Sequence, residues 1–176
     1  MAHTVIARPA DDEYLPYYGK YIAKVAGDDA LAAIVRQSEE TAALLHRVDE
    51  SRAAFRYAEG KWSVKQVIGH VADGERVFAY RALRFARRDT TPLPGFDENV
   101  YAETGGFDER PFADIVLEFR AVRAASIALF AGLAPDDLLR RGAANDSPVS
   151  VRALAWIIAG HEVHHRTLLI ERYGLA

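Results

Sequence analysis

The sequence has no cysteine, little lysine and no long apolar run. Its 176 residues include 0 Cys, 1 Met and 2 Trp, and its 22 basic residues are 18 arginines and 4 lysines. Without cysteine the chain has no disulfide, no thiolate metal ligand and no cysteine nucleophile. Any metal that it binds must therefore be held by histidine or carboxylate side chains.

The charge and the apolar runs exclude two further classes of protein. The formal net charge is -3, so the basic surface typical of nucleic-acid binding is absent. The longest uncharged run covers 12 residues, 124–135, against the ~20 that a membrane-spanning helix needs. Residues 1–16 also lack the basic start and apolar stretch of a signal peptide. We therefore expect a soluble, cytoplasmic protein with neither a membrane nor a nucleic-acid partner.

Apolar residues recur with a helical period, and strand-like alternation is hard to find. The pattern predicts four amphipathic helices, at residues 28–49, 63–87, 111–133 and 150–173. Ser63 and Gln66 have the spacing of a capping box, and Pro111 suits a first helical turn. The predicted fold class is all-α, a four-helix bundle formed by one domain over residues 1–176.

The predicted helices are joined by segments of very different length. Residues 89–110 form a long connection that is rich in proline and glycine. We expect it to cross between bundle halves or to cover a site. Shorter turns are predicted at Pro135-Asp136-Asp137 and at Ser147-Pro148. Residues 1–27 form an aromatic N-terminal arm, for which we favour simple packing on the bundle over packing across a partner subunit.

Three of the six histidines lie in the last predicted helix. His161 and His165 are one turn apart and share the apolar, core-facing stripe, whereas His164 lies to one side. Core histidines that bond to backbone or water are one interpretation of the pair. We favour a metal site, because neutral imidazoles one turn apart can both bind one zinc or nickel ion. His70, at the edge of the inward face of the second helix, is the expected third ligand.

Residues His161 to His165 also match the H-E-x-x-H pattern of zinc peptidases. Such enzymes supply another ligand downstream, but only eleven residues follow His165. Peptidase activity is therefore not expected. Glu162 remains a possible proton acceptor, although we favour the interpretation that it is a solvated charge on the helix flank.

Two stretches, Gly60-Lys61-Trp62-Ser63-Val64-Lys65-Gln66-Val67-Ile68-Gly69-His70 and Gly160-His161-Glu162-Val163-His164-His165, resemble the DinB-like superfamily, in its YfiT-like branch of metal-dependent enzymes. The resemblance extends over nearly the whole chain. It implies a four-helix bundle with a long crossover loop between helices 2 and 3. It also implies a divalent metal bound by His70, His161 and His165, and a homodimer.

The resemblance further implies a function. Some relatives are transferases or isomerases that use a low-molecular-weight thiol, so the first expectation is a metal-dependent enzyme that activates such a thiol for transfer to a small electrophilic substrate. The alternatives are a hydrolase that uses metal-bound water and a non-catalytic metal-binding or stress-response protein. If the metal were only structural, His164 or Glu162 would be the fourth ligand to expect. No catalytic or cofactor-binding residue is assigned from the sequence.

Five arginines of the second predicted helix offer cations for a carboxylated substrate or an acidic thiol. They are Arg76, Arg81, Arg84, Arg87 and Arg88. We expect most of them to be solvated, and none is assigned to the site.

Overall fold

The computed structural model describes residues 4–175, in which four long helices form a bundle. In chain order its elements are α1 (Gly19–Ile22), α2 (Ala30–Leu45), α3 (Glu50–Ala53), α4 (Val64–Ala86), α5 (Glu98–Thr104), α6 (Phe112–Ala131), α7 (Pro135–Leu138), β1 (Arg141–Ala144), β2 (Ser147–Ser150) and α8 (Val151–Glu171). Two short 3-10 turns, Asp11–Glu13 and Pro16–Tyr18, precede α1. The four predicted helices correspond to α2, α4, α6 and α8, and the all-α fold class is confirmed.

Polar side chains set the starts of the long helices. The capping box predicted at Ser63 is confirmed: its hydroxyl accepts from the Gln66 N–H at 3.0 Å, and the Gln66 side chain accepts from the Ser63 N–H at 3.0 Å. Ser150 caps α8 in the same way by accepting from the Ala153 N–H. These bonds satisfy backbone donors that have no partner inside the helix.

Contacts between the helices fix their directions. Lys65, at the start of α4, donates to the Arg110 carbonyl just before α6, and Glu75 pairs with Arg123 further along both helices, so α4 and α6 are parallel. Tyr173, after α8, donates to the Trp62 carbonyl before α4, so α4 and α8 are antiparallel. Residues 87–111 therefore return from one end of the bundle to the other.

A small β-hairpin between α7 and α8 differs from the sequence-based prediction. The strands pair antiparallel, with Ala144 opposite Ser147, and the turn residues Asn145 and Asp146 have φ of 52° and 57°. Positive φ at both positions is the requirement of a tight hairpin turn. The prediction of a turn at Ser147-Pro148 is wrong, because these residues lie in β2. Strands of four residues are too short to show an alternating pattern.

The N-terminal residues pack against the bundle. Trp156, in α8, is fully buried, and its indole N–H donates to the carbonyls of Ile6 and Ala7 at 3.0 Å. Arg8 donates to the Ile22 carbonyl. The first three residues of the expected arm, including His3, and residue 176 lie outside the described part of the chain. None of the helices described combines the length and hydropathy needed to cross a membrane.

Candidate metal centre

The three histidines expected to bind metal meet at one point between α4 and α8. The Nε2 atom of His70 lies 3.0 Å from that of His161 and 3.2 Å from that of His165, and the last two are 3.1 Å apart. All three side chains are buried, with exposed fractions of 6–8%. His164 faces the Tyr21 ring instead, with centroids 5.3 Å apart, and does not join the cluster.

Hydrogen bonds alone do not account for this triangle. Burial lowers the pKa of His70 to about 4, and burial together with the neighbouring imidazoles lowers the pKa values of His161 and His165 well below the ordinary range. The rings are therefore neutral at pH 7. A neutral ring nitrogen directs either one N–H or one lone pair along a single in-plane direction. It cannot satisfy two neighbours at once, so mutual hydrogen bonding leaves the triangle incomplete.

The spacing fits a single ion bound by three imidazoles. Bonds of about 2.0–2.1 Å place two ligand nitrogens about 3.0 Å apart at 90° and about 3.4 Å apart at a tetrahedral angle. The observed separations of 3.0, 3.1 and 3.2 Å lie within this interval. Neutral imidazole is a preferred ligand of both zinc and nickel. The residues present therefore suit a divalent ion.

Aromatic side chains pack against two of the three imidazole rings. Trp62 lies against His70 with centroids 4.8 Å apart, and Tyr21 meets the edge of His161 at 5.5 Å. The Nδ1 atom of His165 is buried and has no hydrogen-bond partner among residues 4–175. Gly74 leaves the space that His161 occupies, since a Cβ there would lie 3.2 Å from the imidazole Cε1.

No fourth protein ligand joins the cluster among residues 4–175, where His70, His161 and His165 form the only candidate group. Glu162, interpreted from the sequence as a solvated charge, is only 2% exposed, and that interpretation is wrong. Its carboxylate pairs with Arg123 and accepts a hydrogen bond from Thr41. The reason is that α2 and α6 cover the flank of α8 that a lone amphipathic helix would expose. The arrangement of a zinc peptidase is therefore absent.

A cavity of about 530 Å³ opens over the three histidines. Its volume is typical of small-molecule sites. Much of its wall is aromatic, including Tyr18, Tyr21, Trp62, Phe78 and Phe96. The aromatic arm therefore does more than cover the bundle, because it forms one side of this cavity.

The rim of the cavity carries polar groups from the arm. The hydroxyls of Tyr17 and Tyr21 lie 3.4 Å apart, and Lys20 Nζ lies 3.7 Å from the centre of the Tyr17 ring. The hydrogen bond to Tyr21 lowers the pKa of Tyr17, whereas burial raises the pKa of Tyr21. Tyr17 and Tyr21 thus bring two hydroxyl groups to the wall of the cavity.

Arg81 also lines the cavity, although no role was predicted for it from the sequence. Its side chain lines the cavity and is only 4% exposed, so the expectation that most arginines of this helix are solvated does not hold for it. The sequence contains a signal for this position, because Arg81 comes eleven positions after His70 in the same helix. Eleven residues are close to three helical turns, which places both residues on one face of α4.

Comparisons with known proteins agree with this fold. The family model of the DinB superfamily matches residues 33–169. The structure is similar to that of YfiT from Bacillus subtilis, described as a probable metal-dependent hydrolase with an unusual four-helix bundle topology. The likeness has a TM-score of 0.65 at 19% sequence identity, and it covers 96% of this chain and 94% of that one. No curated protein sequence matches the chain.

Proposed function

The chain belongs to the DinB superfamily, and from this premise we propose that it is a metal-dependent enzyme acting on a small molecule. In this proposal His70, His161 and His165 bind one divalent ion, zinc or nickel. The observation that carries the proposal is the convergence of three neutral imidazole Nε2 atoms, 3.0–3.2 Å apart, on the floor of an open cavity. Three protein ligands without a fourth are typical of catalytic zinc sites rather than structural ones.

The protein holds and shapes this site, and the ion supplies the activation. A divalent ion bound by three imidazoles lowers the pKa of a coordinated water or thiol, and so provides a nucleophile at neutral pH. Trp62 packs against His70 and Tyr21 against His161, and these contacts restrict the orientation of the two imidazoles. The cavity above them accommodates a substrate of several carbon atoms.

Water is the first candidate nucleophile. The structural likeness to YfiT, which is described as a probable metal-dependent hydrolase, supports hydrolysis as the reaction. Hydrolysis requires a group that accepts a proton. Glu162 is not free for this role because Arg123 and Thr41 engage its carboxylate. Glu98 and His164 both line the cavity and are the groups available there.

A low-molecular-weight thiol is the second candidate nucleophile. A thiol ionises far more readily than water, with an ordinary pKa of about 8.5, and therefore needs less assistance from the chain. The protein contains no cysteine, so the thiol would enter as a separate molecule. The cavity of about 530 Å³ has room for a thiol beside a small electrophile.

The test is a comparison of metal-loaded protein with and without added thiol. Zinc- and nickel-loaded wild type is assayed on a panel of aryl esters, amides and chlorodinitrobenzene, alone and with glutathione, bacillithiol or mycothiol. The negative control is the His70→Ala, His161→Ala double variant, which lacks two of the three expected metal-binding side chains. The matched control is His46→Ala, at an exposed position.

Each outcome separates the candidates. Metal-dependent turnover without thiol supports hydrolysis, and turnover only with thiol supports thiol transfer. Tight metal binding without turnover of any substrate favours a binding protein over an enzyme. Failure of the wild type to bind either metal overturns the proposal.

A further inference from the structure

Two arginines of the described part of the chain are buried, and they differ in their partners. Arg123 is fully buried and pairs with the carboxylates of Glu75 and Glu162. Arg81 is 4% exposed, and its Nη2 donates to the Pro94 carbonyl at 2.8 Å. No carboxylate among residues 4–175 lies within ion-pair distance of Arg81. A cation removed from water without a counter-charge is costly, and buried charges in proteins are normally paired.

Arg81 and the three histidines line the same cavity. The guanidinium carbon lies 5.9 Å from the centre of the Phe78 ring, whose centre lies 6.1 Å from that of His161. The cation is therefore no more than 12.0 Å from the His161 ring. A small organic molecule can span the distance between them.

Arg81 remains charged although it is buried in the wall of the cavity. Burial lowers its pKa, and Tyr18 opposes that effect. A guanidinium still remains protonated at neutral pH. The centre of the Phe96 ring also lies 5.9 Å from the guanidinium carbon. Glu98 lines the cavity as well but forms no ion pair with Arg81.

We propose that Arg81 binds the carboxylate of the substrate, and that the substrate is a small organic acid with an apolar or aromatic body. This inference rests on the proposed function, since it takes the histidine cluster as the place of reaction. The planar guanidinium matches a carboxylate through two parallel hydrogen bonds. One guanidinium also balances the single charge of a carboxylate. The body of the acid lies against Phe78, Phe96 and Tyr18.

A purely structural role for Arg81 is the competing explanation. Through Pro94 it holds the connection between α4 and α6 against α4. In that case the loss of Arg81 lowers stability and weakens the binding of every ligand of the cavity equally. In our proposal the loss of Arg81 weakens the binding only of ligands that carry a negative charge at the end distant from the metal.

Half-hydroxamates of dicarboxylic acids are suitable probes, because the hydroxamate binds the metal and leaves the distant carboxylate free. The monohydroxamates of glutaric, adipic and suberic acid are compared with the matching hydroxamates whose far end is a neutral amide. Binding to the zinc- or nickel-loaded protein is measured by calorimetry. The variants are Arg81→Met, Arg81→Lys and, as the matched control, Arg87→Met, which changes an exposed arginine on the same helix end.

We expect the wild type to prefer the carboxylate of one chain length over its amide by about 10- to 100-fold, as for a hydrogen bond to a charged group. Arg81→Met removes this preference and leaves amide binding unchanged. Arg81→Lys restores part of it, and Arg87→Met retains all of it.

Equal binding of carboxylates and amides by the wild type overturns the inference and leaves the proposed metal function intact. So does a preference that survives in Arg81→Met. If no hydroxamate binds because the wild type takes up no metal, the proposed function itself fails, and the inference fails with it. Metal content, measured in the same samples, distinguishes the two failures.

Discussion

Arg123 in α6 and Glu162 in α8 form a buried ion pair, with Nη1 and Oε2 2.5 Å apart. The same guanidinium pairs with Glu75 of α4 at 2.8 Å and donates to the Ile34 carbonyl of α2 at 3.2 Å. Burial alone would lower the pKa of Arg123, but the charges of Glu75 and Glu162 raise it. One side chain thus connects all four long helices through charged or polar contacts.

The ion pair also holds α8 in one orientation about its axis, and this orientation sets the direction of the histidines of the candidate metal centre. Glu162 directly follows His161, and a helix turns about 100° per residue. With Glu162 held by Arg123, the imidazoles of His161 and His165 are directed toward His70 in α4. Arg123 and Glu162 thereby position the two histidines, although neither residue lines the cavity.

We expect Arg123→Met to destabilise the fold by about 3–5 kcal/mol, because it leaves two buried carboxylates without their partner. Urea unfolding at pH 7 measures the free energy. Arg120→Met, which changes an exposed residue of the same helix, is the control and should have an effect below about 0.5 kcal/mol.

A combined variant separates the charge effect from the loss of packing. Adding Glu75→Gln and Glu162→Gln to Arg123→Met removes the unpaired charges and should recover part of the stability. If Arg123→Met unfolds no more easily than Arg120→Met, the network does not carry the stability that we assign to it.

The two neighbouring histidines of α8 should differ in their effect on metal content. We expect elemental analysis to find about one zinc or nickel per chain in the wild type and in His164→Ala, and background metal in His165→Ala, since only His165 directs a nitrogen into the cluster. A metal content in His165→Ala equal to that of the wild type would contradict the assignment of His165 as a metal ligand.

Removal of the metal should weaken the fold without destroying it, because apolar packing of the four helices supplies most of the stability. At a free ion concentration 100 times the dissociation constant, binding contributes about 2.7 kcal/mol. For a chain of this length that corresponds to a fall of about 5–10 °C in Tm on chelation. Loss of helical circular dichroism at 25 °C after chelation would instead make the metal necessary for folding.

Gly160 permits a close contact on which the cavity wall depends. A Cβ at this position would lie 2.2 Å from the Tyr21 carbonyl oxygen and 2.4 Å from its carbon. We therefore expect Gly160→Ala to push α1 away from α8 and to cost about 1–3 kcal/mol in unfolding free energy. Gly132→Ala is the control, since a Cβ there meets nothing closer than 3.4 Å. Equal stability of the two variants would contradict this account.

Glu13 links the N-terminal segment to α8 and should make part of the stability depend on pH. Burial opposes its charge, but hydrogen bonds from Arg152, Ser150 and the Ala10 backbone outweigh burial and lower the pKa of Glu13 to about 2, from 4.5. A depressed pKa stabilises the fold above about pH 4.5. The contribution is then lost as the pH falls toward 2.

Unfolding of wild type and Glu13→Gln between pH 7 and pH 3 tests this directly. The difference between them should be largest near pH 7, at roughly 2–3 kcal/mol, and should shrink in the acid range. Glu59→Gln, at an exposed position, is the control. A difference that is the same at pH 7 and pH 3 would show that the charge of Glu13 contributes nothing.

Local patterns were sufficient for the helices and for the pair of histidines in α8. The capping box at Ser63 depends on two side chains three residues apart, and the pairing of His161 with His165 depends on one turn of a single helix. Neither feature needs knowledge of distant residues. The hairpin at residues 141–150 was missed because its strands are too short for periodicity to be visible.

The position of His70 relative to α8 was predicted from its place on the inward face and from the resemblance to the superfamily. The tertiary structure adds the distances, with three Nε2 atoms 3.0–3.2 Å apart. It also shows that the tyrosines of the N-terminal arm form a wall of the cavity, which sequence spacing alone did not distinguish from simple packing.

The sequence by itself determined the helical class, the starts of the long helices and the His161–His165 pair, because these depend on side chains separated by a few residues along one helix. Only the tertiary structure decided the partners of Glu162 and Arg81. Glu162 is paired because α6 places Arg123 against it. Within the described part of the chain, Arg81 has no carboxylate partner because the segment that packs over it presents a carbonyl instead. Charge pairing depends on which helices become neighbours, and that information lies outside any one helix.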